Sequence, residues 1–162
     1  MDYYNEPLQE KFKKDVSSSA LIHDLGKIFI PSEIISKPSK LTPDEYNLIK
    51  YHPLIGSNYY QAFIDHNETV LEGILDHHEK CDGSGYPRAL KGDSISLAGK
   101  FITIADIFDA FASRRTYRDK VKQEYILFYF ENNKHLFDEK IVDSLLNNKN
   151  LLNKINQLYN DS

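Results

Sequence analysis

The 162-residue sequence holds one cysteine, one methionine and no tryptophan. A lone thiol, Cys81, excludes an internal disulfide and a thiolate metal site, and it suits a reducing compartment. Long apolar runs are missing as well: none approaches the roughly 20 residues that a membrane-spanning helix needs. The opening residues Met1-Asp2-Tyr3-Tyr4-Asn5-Glu6 have neither the basic nor the apolar region of a signal peptide. Positive charge is not in excess. With 20 basic and 24 acidic side chains, the net charge of −4 argues against broad binding to DNA or to anionic membranes. An anionic substrate must therefore be captured by a local cluster of metal, arginine or lysine. What remains has ordinary globular proportions in one chain long enough to bury a core. It reads as a single soluble, cytoplasmic domain over residues 1–162.

Strand-like alternation is also scarce, and the period that recurs is helical. Leu8, Phe12, Val16, Ala20 and Leu21 fall at three- and four-residue spacing and predict a helix from about Pro7 to Leu25, closed at Gly26. Thr42-Pro43-Asp44-Glu45 is a helix start: threonine caps, proline suits the first position, and glutamate completes a capping box. That helix is expected to run towards His52 and to break or kink at Pro53, with helix again through Ile55 to Phe63. Asn67 caps a helix carrying Val70, Leu71, Ile74 and Leu75 up to His78. Ser96 opens another, with Leu97, Phe101, Ile104, Ala105, Phe108 and Ala112 on one broad face. Further helices are expected around Val121 to Asn132 and from a cap at Asp138, and the Asn-rich tail of residues 149–162 adds a frayed turn or two. The predicted class is all-α, a bundle of about five to seven helices.

The chemistry lies in the histidines and a few carboxylates. His23 and Asp24 end one amphipathic helix, His52 stands beside Pro53, and His77-His78 end another helix. Asp106 lies in the apolar stretch Ile102 to Phe108, where an ionised carboxylate needs a partner or a metal. Imidazole and carboxylate suit iron, manganese and zinc. Adjacent helical residues point about a hundred degrees apart, so His23-Asp24 can serve two neighbouring ions with Asp24 as the bridge. Each residue alone has a plainer account as a cap, a satisfied core group or a surface charge. The set together in one short chain does not.

Leu21-Ile22-His23-Asp24-Leu25-Gly26-Lys27-Ile28 resembles the signature of the HD superfamily of metal-dependent phosphohydrolases. His77-His78-Glu79, Asp82-Gly83-Ser84-Gly85-Tyr86-Pro87, Leu90-Lys91-Gly92 and Ile104 to Ala110 resemble its HD-GYP subfamily, as do His52-Pro53 with Ile55-Gly56 and Arg115 with Tyr117-Arg118. The likeness runs in order from about Leu8 to Leu146. It implies an HD-type helical bundle that hydrolyses cyclic di-GMP to linear pGpG, GMP or both, through a metal-bridged hydroxide. The implied cofactors are two divalent ions, iron or manganese. The implied ligands are His23, Asp24, His52, His77, His78 and Asp106, with Lys27 beside the scissile phosphate. Arg115, Arg118, Gly85, Tyr86 and Pro87 would bind substrate. The Gly-Tyr-Pro loop would also dock diguanylate cyclase (GGDEF) domains.

One departure stands out. The subfamily has a further helix upstream that adds a histidine to one metal, whereas only 22 residues precede His23 here and none is a histidine. The expected outcome is one well-furnished metal with Asp24, His52, His77 and His78, and a second limited to His23, Asp24 and Asp106. Uncovered apolar surface would then favour a homodimer. The alternative function is a catalytically impaired module that binds metal, nucleotide or a protein partner.

Overall fold

The computed structural model describes residues 8–112 and 123–160. The described segments are helices joined by turns, with no strand among the described residues, so the all-α class expected from the periodicity is what forms. Two compact units divide the chain: Gln9–Thr103 forms one, and the described residues from Ile104 onward belong to the other.

The N-terminal unit contains α1 (Glu10–Ile22), a 3-10 turn at Leu25–Phe29, α2 (Ser32–Ile35), α3 (Pro43–Ile49), α4 (His52–Phe63), α5 (Glu68–Asp76) and the start of α6 (Leu97–Ala112). Helix α5 lies at its centre, packed by α1 and by α4. Tyr60, Val70 and Ile74 are buried at that junction, with Ile22, Leu25 and Leu71 against them. Complete burial of a side chain such as Ile74 contributes about 1.5–3 kcal/mol. Ser19 is buried too, and its hydroxyl donates to Val70 O across the α1–α5 contact at 3.1 Å.

The turn after α1 is pressed onto the first turn of α4 by two glycines. A Cβ on Gly26 would lie 1.9 Å from His52 O and 2.7 Å from Gly56 N. No residue with a side chain can make that approach, and it is what carries Asp24 to His52.

Helix boundaries follow local chemistry closely. Thr42 Oγ1 accepts from Glu45 N at 3.2 Å while Glu45 Oε2 accepts from Thr42 N at 2.7 Å, which is the expected capping box. Asn67 caps α5 by accepting from Val70 N. One boundary differs from the sequence expectation. The break between α3 and α4 falls at Lys50–Tyr51, so His52 opens α4 instead of closing α3. Proline needs no N–H donor in the first turn of a helix, and Pro53 therefore starts α4 more comfortably than it kinks α3.

The C-terminal unit holds the end of α6, α7 (Gln123–Asn132), a 3-10 turn at Lys134–Leu136, α8 (Glu139–Asn147) and α9 (Lys149–Asn160). Its core is aromatic and aliphatic, with Ile126, Phe130, Phe137, Ile141, Val142 and Leu145 buried. Phe130 and Phe137 meet edge-to-face with ring centroids 5.2 Å apart. Asp138 caps α8, as expected, by accepting from Lys140 N and Ile141 N. The tail is a correction: instead of a turn or two it forms a helix of 12 residues. The recurrence of Leu151, Leu152, Ile155 and Leu158 in the sequence outweighs the poor helix propensity of its asparagines.

Candidate metal centre

Three histidines sit just past helix ends, where backbone carbonyls lack intrahelical donors. His23 follows α1 and its Nδ1 lies 2.8 Å from Ala20 O; His52 follows α3 with Nδ1 2.8 Å from Ile49 O; His77 caps α5 with Nδ1 2.7 Å from Ile74 O. A carbonyl oxygen only accepts, so each Nδ1 carries a proton, and in the metal-binding form each ring presents the Nε2 lone pair. The plain role of helix cap and the role of metal ligand are thus filled by opposite nitrogens of one ring.

Those lone pairs converge. His52 Nε2 is 3.1 Å from His77 Nε2, and Asp24 Oδ1 is 3.2 Å from His52 Nε2 and 3.9 Å from His77 Nε2. His78 joins them, its ring centroid 4.1 Å from that of His77 and 5.1 Å from that of His52. One ligand atom from each of Asp24, His52, His77 and His78 falls within 4.8 Å of all the others. His23 stands at the edge of this group, Nε2 3.6 Å from Asp24 Oδ2 and its ring 4.9 Å from that of His77. His52 and His77 are fully buried.

This gathering of acceptors needs a cation. Among the described residues, Asp24 Oδ1 is the buried side-chain oxygen or nitrogen without a hydrogen-bond partner. A proton on His52 Nε2 would answer one of these contacts; a divalent ion answers all of them, and the imidazole–carboxylate set is one that such ions accept. The residues therefore fit a divalent metal. Titration behaviour agrees. Burial pushes the Asp24 carboxyl up, but the close approach of His52 and Lys27 and the nearby charges of Lys27 and His23 hold it well below the usual carboxylate range. Burial, followed by the neighbouring imidazoles of His78, His23 and His52, pushes His77 well below the ordinary imidazole value. Both groups are held in the deprotonated forms that bind metal.

Sequence reasoning leaves open what stills the Gly-rich loop after His78; two buried carboxylates do so. Glu79 accepts from Arg88 N at 2.7 Å and from Leu90 N at 2.9 Å. Asp76 pairs with the Arg88 guanidinium and accepts from Ser96 N at 3.0 Å. The signal was present as Asp76-His77-His78-Glu79, a histidine pair bracketed by carboxylates three positions apart. Thr103 Oγ1 donates at 2.7 Å to His77 O, fixing the ligand turn from α6.

The other expected residues are placed as follows. Lys27 Nζ is 2.6 Å from Asp24 Oδ2, on the opposite carboxylate oxygen from the buried one. Tyr86 lays its ring on His78, centroids 4.7 Å apart and 32° between planes, and its N–H donates to His78 O. Gly85 lies directly on the Glu79–Lys80 backbone, where a Cβ would come within 2.5 Å. Pro87 follows in the same anchored loop, and Cys81 is half-buried there. Asp106 is half-buried on the part of α6 that belongs to the C-terminal unit. Arg115 and Arg118 lie outside the described residues.

Comparison with known proteins gives the same direction. The HD domain family matches residues 5–141. The cyclic di-GMP phosphodiesterase response regulator RpfG of Xanthomonas campestris pv. campestris is 39% identical over 152 residues, covering 91% of this chain and 40% of its own. A cyclic di-GMP phosphodiesterase of Thermotoga maritima is 37% identical over 144 residues, with 86% and 38% covered. A 3'3'-cGAMP-specific phosphodiesterase of Vibrio cholerae is 38% identical over 120 residues, with 74% and 28% covered. The chain thus spans less than half the length of these curated relatives. No described helix is long and apolar enough to cross a membrane.

Proposed function

Because the chain belongs to the HD domain family and is of its HD-GYP type, we propose that it is a metal-dependent phosphodiesterase hydrolysing cyclic di-GMP to pGpG, GMP or both. The observation that carries this reading is the convergence of Asp24 Oδ1 with the Nε2 atoms of His52 and His77. Asp24, His52, His77 and His78 would hold one divalent ion, and on the subfamily's pattern His23 and Asp106 would serve a second. Iron or manganese suits this nitrogen–oxygen set. When bound, such ions activate water and offset charge on a phosphoryl group.

The chain's own residues do the remainder. The i−3 carbonyls orient three imidazoles before any ion arrives, which lowers the cost of assembling the ligand shell. Asp24, ionised over the working pH range, shares its carboxylate between the ligand cluster and Lys27. Lys27 keeps an ammonium beside that carboxylate, where it can take up charge developing on a phosphoryl oxygen. Tyr86, stacked on His78, gives the substrate a flat surface at the loop, and Arg115 and Arg118 add phosphate or guanine contacts. No side-chain nucleophile is required. A cytoplasmic setting, a homodimer, and docking of GGDEF domains on the Gly85-Tyr86-Pro87 loop complete the proposal.

The test is direct. The purified chain is loaded with Mn or Fe(II), its metal content measured, and its turnover followed on cyclic di-GMP and, in parallel, 3'3'-cGAMP. Turnover of cyclic di-GMP that disappears in His77→Ala supports the reading. Preference for 3'3'-cGAMP would move the substrate within the same class. Stoichiometric metal without turnover of either would overturn the enzyme and leave the metal-binding module.

A further inference from the structure

An anionic substrate approaching a chain of net charge −4 needs positive charge that is not already spent. Among the described residues, two cations beside the ligand turns are already paired. Lys27 is 2.6 Å from Asp24 Oδ2, and Arg88 is paired with buried Asp76. Elsewhere in the chain Lys37, Lys100 and Lys134 each face a carboxylate, from Glu45, Asp93 and Asp143.

Lys50 is different. It closes α3 two residues before His52 and is half-buried. Among the described residues its ammonium faces rings and no carboxylate. Nζ lies 4.8 Å from the Tyr46 centroid and 5.8 Å from the Tyr86 centroid. Both distances are within the range where an aromatic face attracts a cation. Tyr86 in turn rests on His78, 4.7 Å between centroids. A half-buried ammonium held by two rings keeps its full charge and three donors, since a ring quadrupole attracts the cation without neutralising it. The rings also set where the flexible stem ends, reducing the entropy lost when an anion binds.

We propose that Lys50 is a substrate-binding residue: with Tyr46 and Tyr86 as its seat, it contacts a phosphate of the cyclic dinucleotide other than the one being cleaved. The assignment rests on the phosphodiesterase reading. A cyclic dinucleotide carries two phosphodiesters, and only one can be at the metal centre at a time. Lys50 supplies the second with a point-charge partner, in the manner lysine serves phosphate elsewhere. The seat also ties substrate capture to the Gly-Tyr-Pro loop, because Tyr86 touches both Lys50 and His78.

The experiment compares the full chain with Lys50→Met and Lys50→Arg, each metal-loaded, by cyclic di-GMP binding, by KM and kcat, and by turnover of bis(p-nitrophenyl) phosphate, which has a single phosphodiester. Loss of a charge-assisted contact is expected to weaken cyclic di-GMP binding and raise KM roughly tenfold to a hundredfold. The Arg variant should restore most of the affinity, and the single-phosphate substrate should be cleaved by Lys50→Met at the wild-type rate. Tyr46→Leu, which leaves the charge but removes one ring, should show a smaller loss and guards against a folding defect in the Met variant. Wild-type affinity in Lys50→Met overturns the assignment, and so does an equal loss on both substrates. A wild-type chain that neither binds nor cleaves cyclic di-GMP overturns the reading of function instead.

Discussion

In the N-terminal unit the buried side chains include His52, Asp76, His77, Glu79 and Lys100, whereas in the described C-terminal residues they are hydrophobic, among them Ile126, Phe130, Phe137, Ile141, Val142 and Leu145. Burial of ionisable groups is unfavourable unless each finds a partner. The N-terminal unit meets that condition with backbone: i−3 carbonyls for the imidazoles, loop N–H groups for Asp76 and Glu79. The C-terminal unit needs no such arrangement and gains stability simply by excluding water from rings and branched chains. One unit spends burial on holding reactive groups in place, the other on holding itself together. A substitution should therefore separate activity from stability according to the unit it falls in.

The largest break in ligand geometry should come from Gly26→Ala. The added methyl group meets His52 O and Gly56 N, so Asp24 and His52 must part. Metal affinity, read by chelator competition, should fall by at least tenfold on top of roughly 1–3 kcal/mol from overpacking. Unchanged affinity would show that the glycine contact does not position the ligands. Phe130→Ala tests the opposite unit. Removing a fully buried ring should cost about 3–5 kcal/mol in denaturant unfolding, with metal affinity of the folded protein unaltered.

Glu79→Gln is intermediate, since it replaces a carboxylate that accepts two loop N–H groups by an amide with one oxygen. A loss of about 1–3 kcal/mol is expected, together with a raised KM because the Tyr86 loop is less firmly held; a stability change with KM intact would make the anchor purely structural. The smallest effect should be Asp138→Ala, about 1 kcal/mol for a helix cap in the C-terminal unit, with activity untouched.

Acidity sharpens the same contrast. His77 has its folded value pushed below the ordinary imidazole value of about 6.5. The unfolded chain therefore takes up a proton there that the folded chain refuses, and stability is full above pH of about 6.5 and declines as pH falls below it. Metal loading should persist below that pH, because the proton competes poorly for Nε2. Half-loss of metal above pH 6.5, by titration of the loaded chain, would contradict the burial of His77 as the cause.

The sequence was most informative where the chemistry is local. Thr42-Pro43-Asp44-Glu45, Asn67 and Asp138 each need only residues within four positions to cap a helix, and each does so. The all-α class followed from periodicity for the same reason. The register at His52 was less legible, because a proline can follow the end of one helix or open another; Pro53 opens α4, and the close packing of Gly26 on His52 O accompanies that choice. Asp76 and Glu79 were hidden differently. Their partners, at Arg88, Leu90 and Ser96, are distant in sequence, so nothing near them announced the loop they hold. In α9, sparse but regular leucines proved a better guide than composition.

The Nδ1 bonds to i−3 carbonyls have a consequence for which changes in chain length this protein can tolerate. Each ligand is aimed by the azimuth at which its helix stops. One residue inserted into α5 would turn everything after it by about a hundred degrees around the helix axis. His77 would still cap a carbonyl, but its Nε2 would face away from Asp24. Lengthening the exposed part of the loop around Ser84 turns no ligand. Insertions and deletions should thus be admitted at the loop tip and refused within α5, where helix length in whole residues sets the direction of each ligand.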